Sequence, residues 1–297
     1  MLFLQRIPKI LRWIFSVATV LLLTMTIFRI LFYLKYNPPA KAFSGSAFLL
    51  GLRFDARIAA IVGLAMLLLT FISFLNPFKN IAAKSFWNFL LPILFILLVI
   101  FYFIDFYHFD YLHQRLNATV LNYLQDAGIS FNMMWQTYPL LKVAIAIIVL
   151  FILSRFIFGR LLNSYLQKES FYKRRGTGFY FISFFLLAAL IFGKIGQFPL
   201  RWSDAFTLSD DFKANLALNP FQSFFSTLSF RNSTYDVKKV KEYYPLMASY
   251  FGVQQPNSTQ LNYERKTIIA DSTSSKPNVV LVICSLNYSK ERFVLIF

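Results

Sequence analysis

Five apolar, nearly charge-free stretches dominate this chain, at residues 13–34, 58–75, 86–104, 138–158 and 178–191. A helix rises about 1.5 Å per residue, so about 20 such residues cross the roughly 30 Å hydrocarbon core of a bilayer. The composition agrees: 57% of residues are hydrophobic and 14% charged, against about 45–50% and about 25% in a soluble domain. The expected class is therefore an all-α membrane protein with about five transmembrane helices. Arg29 is the one charge in the first stretch, near enough to its end for the side chain to snorkel to the headgroups. Pro92 falls in the first turns of the third stretch, where a kink is tolerated. Lys142 and Arg155 pinch the fourth, and the fifth is short.

The net charge is +17. In a soluble domain that would point to nucleic acid. Here the bases sit in short loops between apolar stretches, which is the pattern of cytoplasmic loops. Arg6, Lys9 and Arg12 precede the first stretch, Lys79 and Lys84 separate the second from the third, and Arg160, Lys168, Lys173, Arg174 and Arg175 follow the fourth. The loop from 105 to 137 has Arg115 against Asp105, Asp110 and Asp126, and belongs outside. The loop with Lys35, Lys41, Arg53 and Arg57 is discordant. Five spans with a cytoplasmic N-terminus place the C-terminal part outside the cytoplasm. The expected partners are the bilayer and its anionic phospholipid headgroups, not nucleic acid, and the oligomeric state is left open. A single cysteine, Cys284, excludes an internal disulfide.

After the fifth stretch the chain becomes polar and is punctuated by Pro199, Pro220, Pro245 and Pro256. Amphipathic pieces are expected near 210–218 and 237–250, and 254–275 has a linker composition. Lys276-Pro277-Asn278 then leads into the unbroken apolar run 279–284, which suits a strand buried on both faces of a parallel sheet. Such a strand needs neighbours. The expected organisation is a transmembrane domain at 1–196, an extracytoplasmic linker with short helices at 197–275, and a stub with one orphan β-strand at 276–297.

Two groups of side chains invite a chemical reading. Asp105, His108, Asp110 and His113 follow the third stretch at helical spacing and could approach a metal, but the preferred reading is that they are interfacial residues facing headgroups and water. Arg53 and Asp55, and Arg201, Trp202 and Asp204, combine bases, acids and an aromatic at the outer surface. They are candidate lipid-headgroup contacts, against the plainer role of fixing a helix end or docking a linker. No catalytic, cofactor-binding or metal-binding residue is assigned.

Several short segments together carry a resemblance. Gly51-Leu52-Arg53-Phe54-Asp55 precedes the second stretch. Ile104-Asp105-Phe106-Tyr107 and Arg115-Leu116-Asn117 follow the third. Pro199-Leu200-Arg201-Trp202-Ser203-Asp204-Ala205 and Asn215-Leu216-Ala217-Leu218-Asn219-Pro220 follow the fifth, and Lys276-Pro277-Asn278-Val279-Val280-Leu281-Val282-Ile283 comes last. In this order they resemble the lipoteichoic acid synthase and phosphoglycerol transferase family. That resemblance implies a membrane anchor joined to a sulfatase-like extracytoplasmic α/β domain, which uses a divalent metal such as Mn or Mg to move a phosphoglycerol or phosphoethanolamine head group. It also implies a Glu metal ligand after the first strand, where Ser285 stands here. The expectation is a truncated anchor half, inactive alone, in a bacterial cell membrane. The alternative is a non-enzymatic membrane scaffold or regulator of envelope biogenesis. A small transporter would need broken helices in matching halves or charged pairs at mid-membrane.

Overall fold

The computed structural model describes residues 7–38, 43–121, 140–167, 177–208, 210–228 and 236–265. The chain divides into two compact units, Met1–Asn232 and Ser233–Phe297.

In the first unit, α1 (Lys9–Tyr36), α2 (Gly45–Phe71), α3 (Ile81–Leu112), α4 (Leu140–Leu166) and α5 (Thr177–Phe192) form a bundle. Each is built largely of leucine, isoleucine, valine and phenylalanine, and two of them start at a polar cap. Ser44 Oγ accepts the Ala47 N–H at 3.4 Å, and Asn80 Oδ1 accepts the Ala82 N–H at 2.9 Å, so both residues cap free donors at a helix start. The turn from α2 to α3 is tied by Asn76, whose Nδ2 donates to Thr70 O at 3.1 Å while its Oδ1 accepts from Phe78 N at 2.9 Å. His113, in the left-handed region at φ 53°, ends α3.

The class is as expected: an all-helical membrane protein, with no strand among the described residues. Four helices, Lys9–Tyr36, Gly45–Phe71, Ile81–Leu112 and Leu141–Leu166, are long and apolar enough to cross a bilayer, and Thr177–Phe192 is a shorter apolar helix. The run 279–284 lies outside the described residues, as does Ser285.

Several boundaries differ from expectation. α2 starts at Gly45, so Arg53, Asp55 and Arg57 are helical rather than in a loop. α3 runs past Ile104 to Leu112, and Pro92 lies buried inside it rather than in its first turns. Residues after 196 do not begin a separate linker. A 3₁₀ turn (Trp202–Leu208), α6 (Asp211–Ala217) and α7 (Pro220–Thr227) belong to the first unit and close over one end of the bundle.

That unit has two hydrophobic cores. One runs along α1–α5 through Trp13, Met25, Met66, Trp87, Leu98, Phe158 and Leu187. The other joins Phe32, Phe54 and Phe109 of the bundle to Leu200, Ala205, Ala214 and Leu216–Leu218 of the closing segment. In the second unit, α8 (Val237–Tyr250) is followed by a chain that returns over it.

Candidate functional site

The C-terminal ends of α1 and α3 meet the N-terminal half of α2 beneath α6, and there the described chain buries two arginines and two aspartates. Arg29 of α1 is 2% exposed and Asp55 of α2 is 0% exposed. They form a two-pronged pair, with Nη2 donating to Oδ1 at 2.7 Å and Nε to Oδ2 at 3.1 Å. Nη2 also donates to Gly51 O at 3.0 Å. Nη1 donates to Ala217 O at 2.8 Å and to Leu216 O. Those carbonyls close α6, where free acceptors and the negative end of the helix dipole favour a cation.

Gly51 is what lets Arg29 in. A Cβ at this position would overlap the Arg29 guanidinium carbon and nitrogens. Asn219 completes the arrangement. Its Nδ2 donates to Asp55 Oδ1 at 3.0 Å, and its Oδ1 accepts from Gln222 N at 2.8 Å, capping α7. Pro220 then sits at the first helical position, where its missing N–H costs nothing.

A second pair lies beside the first. Arg115 Nη1 approaches Asp105 Oδ2 to 2.7 Å, both side chains almost fully buried. The N–H is not directed at that oxygen, so the contact is ionic rather than a directed hydrogen bond. Asp105 Oδ1 accepts from Leu116 N at 2.8 Å. Arg115 Nη2 donates to Leu218 O at 2.6 Å, and the guanidinium lies 4.3 Å from the centre of the Phe32 ring, a cation–π contact. Burial pushes the Arg115 pKa down, opposed first by Asp105, yet a guanidinium stays cationic there. Tyr102 is buried next to these charges with its hydroxyl unpaired.

Arg57, two residues beyond Asp55 in α2, fastens the end of α5. Its Nε donates to Ile191 O at 2.7 Å, and its Nη1 to Gln222 Oε1 of α7 at 3.1 Å. Outside the clasp, Lys194 Nζ donates to both oxygens of Asp204 at 2.9 and 2.8 Å, and Arg201 N donates to Asp204 Oδ2 at 2.6 Å. Burial raises the Asp204 pKa, but these donors outweigh it and hold the carboxyl below its usual range.

The candidate headgroup residues therefore separate. Arg53 and Arg201 are exposed, and Arg201 stacks 4.5 Å over the Phe198 ring. Trp202 and Asp204 are half-buried. Asp55 has no exposed surface and is taken up by Arg29 and Asn219, so it is an interior group. Arg29 does not snorkel but turns inward, because a carboxylate and a row of carbonyls wait there. The residues weighed for a metal also separate: Asp105 pairs with Arg115, Asp110 Oδ2 accepts from Lys35 Nζ at 2.6 Å, and His108 Nδ1 sits 2.9 Å from Gln114 O. No group of three metal-binding side chains forms among the described residues.

Sequence reasoning missed Arg29, Gly51 and Asn219 as parts of one site. A signal existed: α1 and α2 each carry a charge of opposite sign within an apolar helix, and such charges in a membrane usually find each other. Chemically, the cluster is saturated around Asp55, which accepts from Arg29 and Asn219. Asp105 is held by the Arg115 guanidinium and the Leu116 N–H. The geometry of the cluster fixes position, fastening α6 and α7 to three bundle helices. These are buried charged pairs of the kind a transporter would need, but they stand at one end of the bundle and are locked into the backbone. No protein-family model, no curated protein and no solved structure matches the chain.

Proposed function

We propose that the chain is the membrane-anchoring part of a lipoteichoic acid synthase-like phosphotransferase, one that moves a phosphoglycerol or phosphoethanolamine head group from a lipid to an acceptor outside the bacterial cytoplasmic membrane. The observation that carries this reading is convergence. The segments behind the resemblance, around Gly51–Asp55, Asp105, Arg115 and Leu216–Asn219, are far apart in sequence yet meet in one clasp. A clasp at the lipid–water boundary suits an anchor that must hold a following domain at a fixed height over its lipid substrate. Holding enzyme and lipid together raises effective concentration without adding a reactive group.

The topology in this reading has five spans, with the N-terminus in the cytoplasm. α5 has 16 residues, about 24 Å of helix. Still, it runs from Tyr180 beside Phe71 (5.7 Å) to Ile191 bonded by Arg57, alongside the whole uncharged part of α2. It thus matches the apolar thickness its neighbour presents. The bundle end with Trp13, Phe78, Trp87 and Tyr165 carries Lys9, Arg12, Lys79, Lys84 and Arg160 and no acid among the described residues, which supports a cytoplasmic face.

The resemblance implies a divalent metal, which would be held by residues of the domain that follows this anchor. The described carboxylates of the clasp are committed to arginines, and Ser285 stands where a Glu is implied. No catalytic step is assigned to this chain's residues. The test is a chimera of residues 1–275 with the extracytoplasmic domain of a lipoteichoic acid synthase, expressed in cells depleted of their own synthase. Restored glycerolphosphate polymer, lost on Arg29→Ala, is the expected result. A membrane-inserted chimera that makes no polymer would overturn the reading.

A further inference from the structure

Within the second unit, α8 is sharply delimited. Asp236 Oδ1 accepts from Lys238 N at 2.9 Å at its start. At its end Gly252, at φ 66°, lets its own N–H reach Ser249 O at 3.1 Å and the Val253 N–H reach Ala248 O at 2.9 Å. One side of the helix is already covered. Tyr244 and Ala248 are buried, the Tyr244 hydroxyl donates to Asn262 O and accepts from Asn257 N, and Tyr263 packs edge-on against Tyr244 at 5.1 Å.

A second apolar stripe is bare. Tyr243, Leu246, Met247 and Tyr250 fall at i, i+3, i+4 and i+7 and so share one face. All four are exposed, Leu246 at 68% and Tyr250 at 82%. The first turns add Lys238, Lys239 and Lys241 against the single acid Glu242.

A bilayer is the occupant that fits. The chain leaves the first unit from α7, whose Phe221 and Phe224 pack on Phe101 of α3 at 4.7 and 5.3 Å, at the edge of the membrane-crossing bundle. Eight peptide steps, at most about 29 Å of chain, separate Leu228 from Asp236. An exposed apolar stripe beside lysines is the pattern of a helix lying in the headgroup plane. Tyrosines favour that depth, and lysines complement anionic headgroups. We infer that α8 lies on the bilayer the bundle crosses, with Tyr243, Leu246, Met247 and Tyr250 at the acyl boundary and Lys239, which borders the stripe, on anionic phosphates. This requires that the bundle spans a membrane and does not depend on the proposed enzymatic family.

The experiment uses the full chain, one copy per nanodisc, with Cys284→Ser and an environment-sensitive fluorophore on Leu246→Cys or, as the polar-side control, Ser249→Cys. In phosphatidylglycerol-containing discs the Leu246 probe is expected to be quenched by a lipid-borne quencher and shielded from iodide, and the Ser249 probe to show the reverse. Replacing Lys239 by Gln lowers the bound-to-free ratio by roughly fivefold, and pure phosphatidylcholine discs do likewise. Iodide quenching of Leu246 equal to that of Ser249 overturns the inference. So does a Leu246 probe that neither quencher reaches, which would mean that protein covers the stripe.

Discussion

The two ends of the bundle are held by different physics. At one end Trp13 meets Trp87 edge-on at 5.5 Å and Phe78 at 6.0 Å, while the Trp87 indole donates to Leu75 O at 2.8 Å. The charges there, Lys9, Arg12, Lys79, Lys84 and Arg160, face no acid among the described residues. At the other end two ion pairs are buried and bonded to the backbone of the closing segment. Ring packing is tolerant, since neighbours can shift and lose only part of many small contacts. A buried ion pair is not. It gives little net stability when intact, but losing one partner strands the other charge. The clasp end should therefore respond to mutation abruptly and the aromatic end gradually.

The largest expected effect breaks the Arg29–Asp55 pair. Asp55→Leu or Arg29→Met alone should cost about 3–5 kcal/mol, read as loss of thermal stability in detergent. The double variant should cost less than the sum of the two singles. Additive losses would show that the pair is not coupled. Next, Gly51→Ala leaves both charges in place but puts a methyl group against the Arg29 guanidinium. A cost of about 1–3 kcal/mol follows from overpacking, and an unchanged melting temperature would mean Arg29 does not approach so closely. At the aromatic end, Trp87→Phe keeps a ring but removes the bond to Leu75 O, for about 0.5–1.5 kcal/mol.

The smallest effect belongs to Asp204, whose pair with Lys194 is partly exposed and screened. Its folded pKa lies below the unfolded value. The contribution is therefore fully present above the unfolded carboxylate range and is lost as pH falls through the lower, folded value. In Lys194→Met the folded pKa moves up toward the unfolded value, so the acid-induced loss should be smaller and complete at a higher pH. An acid unfolding curve identical to wild type would remove Asp204 from the account.

The spans were legible because a bilayer demands long uncharged runs, which a one-dimensional reading detects well. The clasp was not, because hydropathy has no direction. Arg29 looked like a residue reaching outward, and Asp55 with Arg57 looked like loop charge that ended a helix. Their partners are the carbonyls of Leu216 and Ala217 and the side chain of Asn219, more than 150 residues away in sequence. A backbone carbonyl has no residue-type signature, so nothing in the composition of 197–228 marked it as the lid of the bundle rather than a linker. The polar, proline-punctuated character of that segment is shared by surface connections and by short capped helices. Asn219-Pro220 was a helix start, which its residue types allowed but did not require.

Hydrogen–deuterium exchange on the purified chain, wild type against Asp55→Leu, tests the central claim most directly. The account predicts that amides of α6 and α7 are protected in wild type and lose protection in the variant, while those around Trp13 and Trp87 keep theirs. Protection of α6 and α7 that survives the substitution, or that fades equally at both ends of the bundle, would contradict it.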